Sequence, residues 1–139
     1  MARWLAVAIG SIAGLLYVLA SLVVTIFIML TPKSHWGAAW LVPTFLAVYA
    51  VLSFFGVGKV ISRDTDALLY QLVGALVVTV SFPISWLVIS PPPPITDARL
   101  AFEALRDYVV LVAPFLIAAG LVALDRRMAH ALRTTVEKD

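Results

Sequence analysis

The chain has 139 residues, of which 63% are hydrophobic and 13% charged, with a net charge of +2 and no cysteine. A soluble globular domain carries about 25% charged residues, so a water-soluble fold is set aside and nucleic-acid binding has no support. Without cysteine there are no disulfides, no thiolate catalysis, no iron–sulfur cluster and no cysteine-based zinc site.

The first apolar run covers residues 4–30 and contains no charged side chain. About 20 apolar residues carry a helix across ~30 Å of hydrocarbon, so this run is long enough to span. Arg3 ahead of the run and the small residues Ala20 and Ser21 imitate a secretory signal. Apolar character continues well past a signal's core of roughly 7 to 15 residues, and we expect an uncleaved first span. A short connection with Pro32 leads to a second run, 36–58, and a polar link, 59–66, leads to a third, 67–89. Links this short make neighbouring spans antiparallel.

The third connection begins with four consecutive prolines, 91–94, which stop the third helix and favour a stiff polyproline II segment. A spacer is the plainer reading, and a docking motif the alternative. Residues 96–107 mix Leu100, Phe102 and Leu105 with Arg99, Glu103 and Arg106, a composition suited to lying along the outer surface before turning inward. The fourth run, 108–124, reaches only about 25 Å. Extending it backwards would submerge Glu103, Arg106 and Asp107, at roughly 5 to 7 kcal/mol for any two, so these stay at the interface. Arg106 snorkels outward and Tyr108 anchors the entrance. Thr96 and Asp97 form an N-cap pair for a helix that enters the membrane about three turns later and runs on through Asp125 and Arg126 into the tail. The chain is thus expected to be one all-α domain over residues 1–139, a polytopic four-helix transmembrane bundle with short loops and a proline-rich outer loop.

Positive charge sets orientation. Four crossings put Arg3, Lys59, Arg63, Arg126, Arg127, Arg133 and Lys138 on one side and Lys33, Arg99 and Arg106 on the other. A split of seven against three predicts that both termini face the cytoplasm of a cell-membrane protein. Trp4, Trp36, Trp40, Trp86 and Tyr108 cluster near run ends, at headgroup level. A three-span chain would place the charged tail outside, against this bias.

Inside the spans the pattern concerns packing. Gly10, Gly14, Tyr17, Ser21 and Thr25 form a small or weakly polar stripe on the first helix, with Gly10 and Gly14 as a GxxxG pair. On the third helix Ala67, Gln71, Gly74, Val78, Ser81 and Ser85 follow a seam of roughly 3.5-residue period, suited to left-handed crossing near ~20°. These are the expected helix contacts, because small residues let backbones approach and hydroxyls pair across helices. Pro43, Pro83 and Pro114 lie inside spans, where each frees a carbonyl one turn earlier, and Thr44, Thr79 or Ser81 are close enough to satisfy such groups. These prolines, with Gly56 and Gly58, are read as shape adjustments.

Chemistry is sparse. No Asp, Glu, Lys, Arg or His falls in the expected hydrocarbon region, which disfavours proton-coupled transport through this chain alone. His35 and His130 fall on opposite sides of the membrane, so no haem ligand or shared metal site is expected. Ser11, Ser21, Ser53, Ser81 and Ser85 have no base at matching depth to activate them. Asp64 with Asp66, and Asp97 with Glu103 and Asp107, read as caps and solvated faces. Arg126, Arg127 and Arg133 are placed to touch anionic lipids at ~1 kcal/mol each. In size and span number the chain resembles small multidrug transporters, which implies an acidic residue in the first helix, and this helix has none. Fluoride-channel proteins are similar in size, but their asparagine-bearing spans are unmatched, since this chain has no Asn.

Two functions from different classes remain. The first is a non-enzymatic accessory subunit, without cofactor or metal, packed by its stripes against lipids and other integral-membrane subunits of a respiratory or transport assembly. The second is a homo-oligomeric channel or facilitator in which Tyr17, Ser21, Thr25, Gln71, Ser81 and Ser85 line a neutral path between copies of the chain.

Overall fold

A computed structural model describes residues 1–33, 37–89 and 98–138. Four helices carry the fold: α1 (Ala2–Leu30), α2 (Leu41–Ile61), α3 (Ala67–Ile89) and α4 (Ala98–Lys138), with a 3₁₀ turn at Gly37–Trp40 leading into α2. All four are long and apolar enough to cross a membrane, so the chain is an all-α, multi-pass four-helix membrane bundle. Helices are the outcome because hydrocarbon offers no partner to a backbone N–H or C=O, and a helix satisfies both within one segment.

The helices run up and down in ring order, α1 against α2, α2 against α3, α3 against α4, and α4 back against α1. The interior is built of small and aromatic residues: Ala6, Ala13, Tyr17, Tyr49, Val78, Phe115 and Ala118 are all buried. Bulky aliphatic side chains such as Leu15, Leu19, Leu22, Ile26, Leu76 and Ile117 point outward. This sorting is what lipid selects: an outward leucine loses nothing there, and small inward residues allow close helix contact.

Two expectations about boundaries change. The α-helix of the second run starts at Leu41 rather than at 36, because residues 37–40 coil as a 3₁₀ turn. Pro43 therefore sits in the first turn of α2, where backbone N–H groups have no intrahelical acceptor, and its missing N–H costs nothing there. Secondly, residues 98–107 do not lie along the surface before a turn. They are collinear with the fourth span in one unbroken helix of 41 residues that passes Pro114 and continues to Lys138. An Arg99–Glu103 ion pair at 3.4 Å, one helical turn apart, suits this continuation. The four-proline stretch and the Thr96–Asp97 cap lie outside the described residues, as do His35 and Trp36.

Candidate functional site

The sequence stripes are used inside the chain. Gly10 faces α2 so closely that a Cβ there would come within 2.5 Å of Val57, and Ser53 Oγ donates to the Gly10 carbonyl at 2.7 Å. A Cβ on Gly14 would lie 2.8 Å from the Phe54 ring. Tyr17 is buried, whereas Ser21 and Thr25 are half-buried. Ser21 Oγ donates to the Pro43 carbonyl at 2.9 Å, and Thr25 Oγ1 donates back to the Ser21 carbonyl at 2.7 Å. On α3, Gln71 packs its amide against Gly56 of α2, Gly74 lies under the Phe115 ring of α4, and Ser81 exchanges a hydrogen bond with the Tyr49 hydroxyl. Ser85 is half-buried and donates to its own helix, to the Ser81 carbonyl at 3.0 Å.

These contacts meet in an aromatic plug at mid-bundle. Tyr17 stacks on Phe115 at 6.1 Å between centroids and meets Tyr49 edge-on at 5.7 Å, while its hydroxyl donates to the Leu111 carbonyl at 2.5 Å. One cluster of α1, α2 and α4 rings, with Ser81 from α3, thereby ties all four helices together. Tyr108 is fixed sideways as well: its hydroxyl shares a hydrogen bond with Thr79 at 2.8 Å and its ring leans on Phe82. The hydroxyls expected to reach proline-freed carbonyls bond elsewhere. Thr79 donates to the Ala75 carbonyl of its own helix and Thr44 to the carbonyl of Trp40, which caps α2, each four residues back.

Tyr49 and Phe115 were not singled out by sequence, and Ser53 was read only as a hydroxyl without a base, although the packing signal was present. Tyr49, Ser53, Gly56 and Val60 advance by four, three and four residues, the same seam spacing as on α3. Phe115, Ala118 and Val122 do so on α4.

The second region is polar and lies at the end of the bundle where α1 begins, α2 turns into α3 and α4 leaves the core. We call it the basic end. The α2–α3 turn closes as a Schellman motif, with Arg63 N–H donating to the Val60 carbonyl at 3.3 Å and Asp64 N–H to the Lys59 carbonyl at 3.1 Å. Its C′ position, which favours glycine, is held by Arg63 at a left-handed φ of 56°. Asp64 fixes the turn further: its carboxylate takes Lys59 Nζ at 2.9 Å and the Asp66 N–H at 3.1 Å. The Lys59 hydrogen bond, then the Asp66 N–H, hold the Asp64 carboxyl below the usual carboxylate range. Two arginines grip the turn from outside. Arg3 donates to the Ile61 carbonyl at 3.1 Å, and Arg126 donates to the carbonyls of Asp64 and Thr65.

Between these groups opens a cavity of about 660 Å³, lined among others by Arg3, Arg63, Arg126, Arg133 and His130, with Asp64 and Asp125 as its carboxylates. Among the described residues none of the four guanidiniums forms an ion pair. Arg3 Nε is shut off from solvent with no acceptor. The sequence reading placed Arg126, Arg127 and Arg133 together in the tail, but the structure brings Arg3 and Arg63 to two of them and leaves Arg127 outside the cavity lining. Among the described residues no group of three His, Asp or Glu side chains is arranged to hold a metal. Comparison with protein-family models, with curated proteins and with solved structures returns no match.

Proposed function

We propose that the protein is a non-catalytic accessory subunit that packs against partner chains of a larger integral-membrane assembly, in the cell membrane with both termini cytoplasmic. One observation carries this reading. The α4 helix leaves the bundle and exposes Met128, Leu132 and Val136 at successive four-residue steps, Val136 to 75%. Val136 lies about 18 Å along the helix beyond Leu124, whereas the headgroup layer is roughly 5 to 8 Å deep. With the span ending at Leu124, lipid therefore does not cover Leu132, about 12 Å beyond it, or Val136, and apolar residues at helical spacing in water are the kind of face that docks into another protein. The plug at mid-bundle supports the same reading, since Tyr17, Phe115 and Val78 fill the place where a path through one chain would run. The channel alternative draws less support, because Tyr17, Gln71 and Ser81 face the chain's own core rather than a second copy. The positive-charge bias supports the orientation.

The test is gentle detergent extraction followed by intact-complex mass measurement, on the natural chain and on a Leu132→Glu, Val136→Glu variant. The natural chain is expected with unlike chains in fixed ratio, and the variant without them while its helical circular dichroism is retained. A closed ring of identical copies, or a variant with unchanged partners, overturns the proposal. Labelling of the tail from outside intact cells would reverse the orientation.

A further inference from the structure

We propose that the cavity at the basic end binds a phosphate-bearing anion. Arg3 comes from α1, Arg63 from the α2–α3 turn, and Arg126 and Arg133 from α4, so arginines of three separate segments line one cavity. A tetrahedral oxyanion accepts donors from several directions, whereas a carboxylate takes them in one plane, and the guanidinium fork fits phosphate oxygens in pairs.

Three features indicate a prepared site rather than a chance gathering of surface charge. Arg3 and Arg126 are held by backbone carbonyls, which fix their positions without cancelling their charge. Arg3 is held further by the Trp4 ring, whose centroid lies 5.1 Å from its guanidinium carbon, a contact that likewise leaves its charge in place. Arg63 occupies a left-handed backbone position unsuited to a non-glycine residue, and such outliers mark functional sites. Of the two lining carboxylates, Asp64 is already paired with Lys59, so the cavity keeps an excess of positive charge. Its volume of about 660 Å³ admits a phosphate together with the group that carries it. Either a lipid headgroup or a soluble phosphate compound supplies this chemistry.

Native mass spectrometry of the full chain, released from detergent micelles, decides the matter. The protein is titrated separately with short-chain phosphatidylglycerol, inorganic phosphate and diacylglycerol, the last lacking the phosphate. Phosphatidylglycerol or phosphate should bind saturably and diacylglycerol should not. Arg3→Gln and Arg63→Gly should each weaken binding about tenfold, as expected for loss of one charge-assisted contact. Arg127→Gln, outside the lining, should leave it unchanged. Arg63→Gly also relieves the backbone conformation, so its thermal midpoint should hold or rise while binding falls, which separates lost recognition from lost folding. Binding of phosphatidylglycerol alone assigns the site to a headgroup, and binding of phosphate as well assigns it to soluble phosphate compounds. Failure of both probes, equal binding of diacylglycerol, or equal weakening by Arg127→Gln overturns the proposal.

Discussion

The middle of the bundle and its basic end solve opposite problems. At mid-bundle, the Tyr17 hydroxyl finds the Leu111 carbonyl, Ser53 finds Gly10, and Tyr49 finds Ser81, so the bulk of a helix-linking network closes on itself. Hydrocarbon permits no other arrangement, because an unpaired polar group there has no water to turn to. At the basic end, water is near, the Arg63 backbone is strained and several cations lack counter-ions. Stability is concentrated in the first region, and the groups left over for recognition are concentrated in the second.

Substitutions at glycine should expose this contrast most sharply. A Cβ on Gly74 would collide with the Phe115 ring, a rigid neighbour that is itself buried between helices. Gly74→Leu should therefore cost about 3 kcal/mol or more, as overpacking of a filled core does. Gly58, near the basic end, has open space where a Cβ would go, and Gly58→Ala should be neutral or gain up to about 1 kcal/mol from helix propensity. Unfolding in mixed detergent micelles, followed by circular dichroism, measures both. Equal losses at the two positions would erase the distinction between a sealed middle and a looser end. Next in size is Arg63→Gly, expected to gain about 1 kcal/mol by freeing the left-handed position, the opposite sign to Gly74→Leu. A loss there would mean that the Arg63 side chain stabilises the turn more than its backbone strains it.

The four spans were legible in sequence because run length against bilayer thickness is a one-dimensional test that needs no partner. The small-residue stripes on α1 and α3 were legible as periodic traces but only in part as contacts: Gly10, Gly14 and Gly74 face other helices, while Thr25 and Ser85 donate back to their own. Which helix each stripe would meet was not, because Gly10 carries no mark of Val57 and Gly74 none of Phe115; only the ring order of the helices supplies that. The start of α2 was misplaced because hydrophobicity at 37–40 is the same for a 3₁₀ turn as for an α-helix. The pre-membrane part of α4 admitted two readings, because its mixed charge pattern fits a surface-lying helix and a straight one equally well, and the structure takes the straight helix that runs on past Asp125 and Arg126. The cavity escaped for a different reason: Arg3 and Arg63 lie far from Arg126 and Arg133 in sequence, and charges that converge by tertiary folding leave no local pattern.

The two regions should also differ in what a single hydrogen bond contributes. Tyr17→Phe deletes the hydroxyl that donates to the Leu111 carbonyl and keeps the ring stacked on Phe115. Interhelical hydrogen bonds in membranes contribute about 0.6 kcal/mol on average, so the same unfolding assay should show a loss of that size, well below that of Gly74→Leu. A loss as large as the glycine variant's would make the hydroxyl network, and not close packing, the main support of the middle.

The smallest effect should be confined to the basic end and should depend on pH. Because the folded turn holds the Asp64 carboxyl below its ordinary range, chiefly through Lys59, the turn binds fewer protons folded than unfolded over that interval. Its contribution is therefore complete above the ordinary carboxylate pKa and is lost as pH falls through the depressed folded value. Hydrogen exchange of the Asp66 amide, which donates to Asp64 Oδ1, should accelerate in that acidic window after correction for the intrinsic rate, while amides around Tyr49 and Val78 stay protected. Asp64→Asn should remove the pH dependence. If the mid-bundle amides loosened over the same interval, the two regions would be one cooperative unit, and the turn would be part of what holds the core closed.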